Sequence, residues 1–292
     1  MKLSSLNDKL QNLKTILSRC KSITVALSGG VDSAFLLAFA VKTLGADRVY
    51  ALTACGSHIA LDETEYAARL CKSLGVEYRT TEIKHVLSII KDNPPDRCYL
   101  CKREIFSAFS EIAAARGSTL VDGTNLDDTN DYRPGHRALK ELGVLSPLKE
   151  AGMTKADIRS ALKELAGSDE NTASALTLDD GTPMWKKPAF ACLASRIPYG
   201  EQISEEKLSA VYESELFLKK LGFTQIRVRH HGDIARIETL TEEREIFFDK
   251  QLMAAVNDKL KSLGFKYVTL DLGGYKMGGG YNDEKPNNRQ QR

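Results

Sequence analysis

Two cysteines three positions apart, Cys98 and Cys101 in RCYLCKREIF, and a third, Cys192 in AFACLASRIPYG, are the first residues whose type and spacing suggest chemistry. A C-x-x-C pair at the start of a helix lets two thiolates reach one ion or cluster face. The same pair also occurs as two half-buried helix residues with no chemical role. Zinc would need a fourth ligand, and no obvious histidine accompanies the trio in the sequence. The other three of the six cysteines, Cys20, Cys55 and Cys71, fall in apolar-periodic contexts and read as packing residues.

The second chemical signal is SGGVDS, Ser28 to Ser33, at the junction between the apolar run ITVAL and a helical pattern. Gly29 and Gly30 let backbone N–H groups close around a pyrophosphate, and the hydroxyls of Ser28 and Ser33 add donors. The helix N-terminus adds a favourable dipole. Asp32 beside an anion makes sense if it helps hold a magnesium ion that bridges the phosphates. A helix-capping Gly-Ser turn is the bland alternative. The stretch resembles the PP-loop of the N-type ATP pyrophosphatases, which activate a substrate oxygen by adenylylation and release pyrophosphate. GxxxxGK[ST] is absent, which disfavours a Walker-type kinase.

These residues must be positioned by an alternating pattern. An N-terminal helix carries Leu6, Leu10, Leu13 and Leu17 on one face. Strands are expected at SITVAL, RVYALTA, VEYRTTEI and STLVDG, with helices over 34–44, 62–74 and 101–115. This order predicts a parallel sheet with helices on both faces. TKADIRSALKELAG reads as a helix, and SDENTASALTLDDGTPMWKKP as a flexible connection. SEEKLSAVYESELFLKKLG, QIRVRHHG, DIARIE, TEEREIFFDKQLMAAVNDKLKSLG and YVTLDLG then give an α-β-β-α-β order. The expected fold class is an α/β PP-loop domain over 1–190, followed by a smaller α+β domain over 191–280. The polar tail 281–292 is expected to be disordered.

Composition closes off several classes. The 292 residues carry 41 Lys plus Arg against 39 Asp plus Glu, a net charge of +2, so no global field points to nucleic acid or a membrane surface. The longest apolar run, AFLLAFAV, is too short to span a bilayer, and no leader pattern opens the chain. A cytoplasmic protein with reduced thiols is expected.

Further along, DGTNLDDTNDYRPG (122–135), ACLASRIPYG (191–200), RVRHHGDIARIE (227–238) and TLDLGGYKMG (269–278) resemble the hallmark segments of the LarE family. Together with SGGVDS they cover nearly the whole chain. The resemblance implies an ATP-dependent sulfurtransferase that adenylylates the pyridinium carboxylates of a biscarboxylic acid mononucleotide and replaces AMP by sulfur. The products are the thiocarboxylates of the nickel-pincer nucleotide, the cofactor of lactate racemase. Ser195, Arg196 and Arg227 match a phosphate site in that family, and Glu215 matches a functional acid. Cys192 matches a cysteine that some members sacrifice. The presence of both Cys98 and Cys101 favours the other branch, in which three cysteines hold a 4Fe-4S cluster with one open iron that carries hydrosulfide. ATP, Mg2+ and this cluster are the implied cofactors. A nucleotide substrate, sulfide or a sulfur-donor protein, and a homo-oligomer are the implied partners.

Arg229 shares a strand face with Arg227, and an exposed position explains it nearly as well as an anion does. Asp127, Asp128 and Asp131 read as turn residues near the nucleotide. His230 and His231 read as surface residues. A tRNA thiolase would show an RNA-binding appendage, a lysine-rich face or a second C-x-x-C, and the sequence has none of these. A non-enzymatic nucleotide- or metal-binding module would differ by giving no pyrophosphate release.

Overall fold

The computed structural model describes residues 5–83, 85–129 and 135–275. Asp131, the end of the 269–278 segment and the tail 281–292 lie outside the described residues. The described residues form two compact units, one of those up to 90 with those of 95–190, the other of 91–94 with those from 191 to 275.

The first unit runs α1 (Leu6–Ser18), β1 (Ile23–Ala26), α2 (Val31–Leu44), β2 (Val49–Cys55), α3 (Leu61–Ser73), β3 (Glu77–Glu82), α4 (Val86–Ile90), α5 (Arg97–Ala115), β4 (Thr119–Val121), α6 (Gly135–Glu141), α7 (Pro147–Glu150), α8 (Lys155–Ala166) and α9 (Glu170–Ala175). Its four strands pair in parallel in the order β3-β2-β1-β4. Alternation along β2 divides the core: Val49 and Ala51 join the layer built from α1, α2, α3 and α8, while Tyr50 and Leu52 join α5 and α6. Helix α2 is apolar nearly all round and buries Ala34, Phe35, Leu36 and Leu37, as a central helix must. A capping box, Thr154 with Asp157, starts α8.

The second unit runs α10 (Glu205–Lys220), β5 (Ile226–His231), β6 (Ile234–Thr239), a 3-10 segment (Thr241–Phe248), α11 (Lys250–Ser262) and β7 (Tyr267–Leu270). Strands β5 and β6 form an antiparallel hairpin, and β7 adds parallel to β6. Ser204 and Asp249 cap the two helices. The core is Leu218, Phe223, Val228, Ile237, Val256, Leu260 and their neighbours. Residues 91–94 are stitched into this unit: the Asn93 side chain donates to the carbonyls of Ile197 and Pro198, and its own carbonyl accepts from Gly200.

Three expectations need correction. Helix α5 begins at Arg97 rather than at Cys101, so the C-x-x-C pair does lie at a helix start, with both cysteines inside the first two turns. The helical reading of 241–264 divides at Asp249, whose side chain caps a new helix instead of continuing the old one. The stretch 168–188 is not a flexible connection. It holds α9, a Thr177–Pro183 bridge and a 3-10 turn, and Leu176 and Met184 are fully buried in the main core. Arg159 of α8 fastens it by donating to the carbonyls of Trp185 and Lys187. Sequence pattern missed this because the segment's few apolar residues follow no period.

Candidate functional site

In the first unit the chain runs from β1 to β2 and β3 on one side and returns to β4 on the other. The carboxyl ends of β1 and β4 therefore flank the reversal in strand order, where open α/β sheets bind ligands. Ser28 to Ser33 occupy this point. Gly29 has φ +79°, a conformation that glycine adopts without strain. The loop closes on itself: the Ser28 N–H donates to the Ser33 hydroxyl at 3.2 Å, the two hydroxyls are 3.1 Å apart, and the Ser33 hydroxyl donates to the Gly30 carbonyl at 3.1 Å. Gly30 is the N-cap of α2, so the unpaired N–H groups of its first turn point back toward the loop.

The segment after β4 packs directly against this turn. A Cβ on Gly123 would fall 2.9 Å from the Ser33 nitrogen, so only glycine permits the approach. Fully buried Asn125 donates to Asp32 at 3.1 Å, and its Oδ1 accepts the N–H groups of Asp127 and Asp128. Turn chemistry for Asp127 and Asp128 is thus what the geometry shows, since Asp127 also accepts from the Lys155 N–H. Burial, and then the nearby carboxylate of Asp128, raise the Asp32 pKa from 3.8 to about 6. A carboxylate kept this uncomfortable beside a helix N-terminus gains from a cation. That is the property expected of a magnesium ligand.

Cys98 and Cys101 lie one turn apart on α5, both partly exposed. The structure supplies what the sequence hid: His58, 4% exposed in the turn after β2, places Nε2 3.7 Å from the Cys101 sulfur. Burial lowers the His58 pKa, which favours the neutral ring. Cys192 belongs to the second unit and is exposed. Among the described residues no three His, Cys, Asp or Glu side chains gather closely enough to hold a metal ion. The donor set nonetheless suits iron or another soft metal at two positions, because thiols one helical turn apart share a face.

In the second unit Cys192 is the N-cap of a 3-10 turn, Leu193–Arg196. Arg196 is only 1% exposed and forks onto Glu215 of α10 with two bonds of 2.9 and 3.0 Å. Its Nη1 reaches the carbonyls of Ala191 and Cys192 and the Ser195 hydroxyl. Glu215 also accepts the Val228 N–H of β5. Arg196 and Glu215 therefore set the path of the backbone that carries Cys192, and the arginine turns inward rather than toward solvent. Removing one partner of a buried pair leaves an uncompensated charge. Arg196→Ala is therefore expected to lower the stability of the second unit by about 3–5 kcal/mol, measured by urea unfolding of the full chain.

Arg227 is 5% exposed, with one nitrogen on the Ile226 carbonyl and the guanidinium over Tyr275. Burial, reinforced by the neighbouring Arg196, lowers its pKa to about 10, so a bound anion would relieve it. Arg229 is not an exposed strand arginine. It is 8% exposed, forks onto Glu238 and donates to the Ser195 carbonyl, which holds the same turn from another side. His230 and His231 are half-buried rather than on the surface, and burial lowers both pKa values.

Comparison with known proteins agrees with this layout. A family model described as NAD synthase matches residues 4–115. An uncharacterized protein of Synechocystis is 36% identical, covering 94% of this chain and 97% of its own length. The pyridinium-3,5-bisthiocarboxylic acid mononucleotide synthase of Lactiplantibacillus plantarum is 38% identical, covering 94% of this chain and 95% of its own. The NH(3)-dependent NAD(+) synthetase of Thermotoga neapolitana is 43% identical, but over only 39% of each chain.

Proposed function

The chain belongs to the LarE family, that of the pyridinium-3,5-bisthiocarboxylic acid mononucleotide synthase, and on that premise we propose that it is an ATP-dependent sulfurtransferase acting on a pyridinium biscarboxylic acid mononucleotide. The observation that carries this reading is the self-closed Ser28–Ser33 loop at the β1/β4 reversal, with Asp32 raised beside it. The loop's N–H groups and hydroxyls hold the pyrophosphate portion of ATP, and Asp32 holds Mg2+. A substrate carboxylate oxygen attacks the α-phosphorus, the bond to pyrophosphate breaks, and an acyl adenylate forms. Sulfur then attacks the acyl carbon and AMP leaves.

Arg227, next to Ser195 and the Arg196–Glu215 pair, holds the nucleotide phosphate of the substrate. Its compressed pKa supports an anion there. The domain division follows the chemistry: ATP activation by residues 1–190, substrate holding by 191–280. Cys98, Cys101 and Cys192 would hold a 4Fe-4S cluster, a reading supported by the C-x-x-C pair on one face of α5; such a cluster would supply the sulfur that is transferred, with sulfide or a donor protein as its source. A second reading keeps its place because Cys192 is the exposed thiol, on a turn whose backbone Arg196 grips: Cys192 itself gives up its sulfur.

The test is incubation with ATP, Mg2+ and the biscarboxylic acid mononucleotide. Substrate-dependent pyrophosphate release and exchange of a carboxylate oxygen for sulfur in the product mass are expected. Pyrophosphate release without sulfur incorporation under anaerobic conditions with sulfide would overturn the sulfurtransferase reading.

A further inference from the structure

Near the end of the segment that looked like a loose connection stands Lys187, whose side chain returns to the phosphate loop. Its ammonium donates to the Gly29 carbonyl at 2.9 Å and to Glu63 Oε2 of α3 at 2.7 Å, and it lies 5.1 Å from the centre of the Tyr66 ring. Both ends of the ion pair are well buried, with 12% and 9% of their side chains exposed. Glu63 also fixes the space: a Cβ on Gly29 would fall 2.5 Å from the Glu63 carbonyl oxygen and 2.7 Å from Oε2. Lys187 is itself held in place, since its carbonyl accepts from Arg159 and its N–H donates to the Met184 carbonyl.

A peptide unit is planar and trans, so its C=O and N–H point in opposite directions. Fixing the Gly29 carbonyl on Lys187 therefore fixes the direction of the Gly30 N–H, away from the ammonium and toward the side of the loop where it donates a long, 3.4 Å bond to the Ser28 hydroxyl. The Gly29–Gly30 peptide lies between two residues without a Cβ, Gly29 at φ +79°, so side-chain sterics restrain its orientation less than elsewhere in the loop. We propose that Lys187, oriented by Glu63, is a positioning residue that keeps the Gly29–Gly30 peptide turned so that the Gly30 N–H faces a bound pyrophosphate group. The inference rests on reading Ser28–Ser33 as the ATP phosphate loop.

Calorimetric titration of MgATP and of pyrophosphate into the full chain tests it, with thermal unfolding in parallel. Lys187→Met is expected to weaken both ligands by about ten- to a hundredfold, with KM for ATP rising and kcat little changed. Lys187→Arg should recover part of the loss. Glu63→Gln decides independently, including the case in which Lys187→Met does not fold. If Glu63 orients Lys187 onto Gly29, the variant binds pyrophosphate more weakly. If the ammonium instead acts directly on phosphate, releasing it from Glu63 tightens binding, and the inference fails. A folded Lys187→Met protein of lower melting temperature but unchanged affinity would also overturn it, leaving Lys187 as a tie for the segment alone. No binding to the unaltered chain would remove the ATP reading itself.

Discussion

Alanine at Cys98, Cys101 or Cys192 is expected to lower sulfur incorporation by about a hundredfold or more at each position, and iron content should fall with it. Cys98 and Cys101 sit in the first two turns of α5, one turn apart on one face of the helix. Neither thiol is fully buried, so neither is needed to fill the core, and the alanine variants should fold with nearly unchanged stability. Anaerobic purification with iron and sulfide analysis, followed by intact-mass measurement after turnover, separates the two sulfur sources. With a cluster, the protein mass is conserved and all three variants fail together. With sacrifice, the Cys192 thiolate attacks the acyl adenylate, AMP leaves, and loss of the Cα proton breaks the Cβ–S bond to leave dehydroalanine. In that case only Cys192→Ala fails. Dehydroalanine in stoichiometric yield, with Cys98→Ala and Cys101→Ala active, would sink the cluster.

Asp32→Ala should abolish pyrophosphate release while the protein stays folded, and Asp32→Asn makes the physical reason measurable. The folded-state pKa of about 6 lies above the unfolded 3.8, so the folded form binds the proton more tightly. The carboxyl therefore costs no stability well below pH 4. The cost grows as pH rises from about 4 to 6 and is complete above that, at about 3 kcal/mol. Asparagine keeps the shape and the hydrogen bond from Asn125 without the charge. It is expected to stabilise the ligand-free protein at pH 8 by up to that amount, with the gain vanishing near pH 4. Urea unfolding at the two pH values reads it, and pyrophosphate release should be lost in the same variant. A variant no more stable at pH 8 would mean that Asp32 is not held at a cost, and normal pyrophosphate release would remove it from the chemistry.

Arginine at 196 shows how a family role and a structural one can meet in a single side chain. Its guanidinium is committed to Glu215 and to the backbone of 191, 192 and 195, and Arg229 grips the same turn through the Ser195 carbonyl. The turn that carries the exposed thiol is thus held from below by two buried arginines. Loss of activity in Arg196→Ala must be read together with the loss of stability expected above.

Local chemistry was legible in the sequence wherever a short stretch is sufficient for its own function. SGGVDS announces a strand, a tight turn and a helix N-terminus within a dozen residues. Apolar period gave α1, α8, α10 and the hairpin of β5 and β6, because burial on one face leaves a repeating trace, while β1 and β2, buried on both faces, showed as short apolar runs. The sequence also holds the cysteine spacing and the arginine-bearing strand. What it could not show depends on approach between distant residues. His58 reaches Cys101 across 43 positions, Lys187 reaches Gly29 across 158, and Asn125 reaches Asp32 across 93. Gly123 is glycine because α2 passes beneath it, not because its own backbone turns left-handed. Whether Arg196 and Arg229 face solvent or a carboxylate was decided by Glu215 and Glu238, on other elements of the second unit. Periodicity records which face of an element is buried, while the partner that a buried polar group finds is fixed only when the chain closes on itself, since desolvation makes that pairing obligatory.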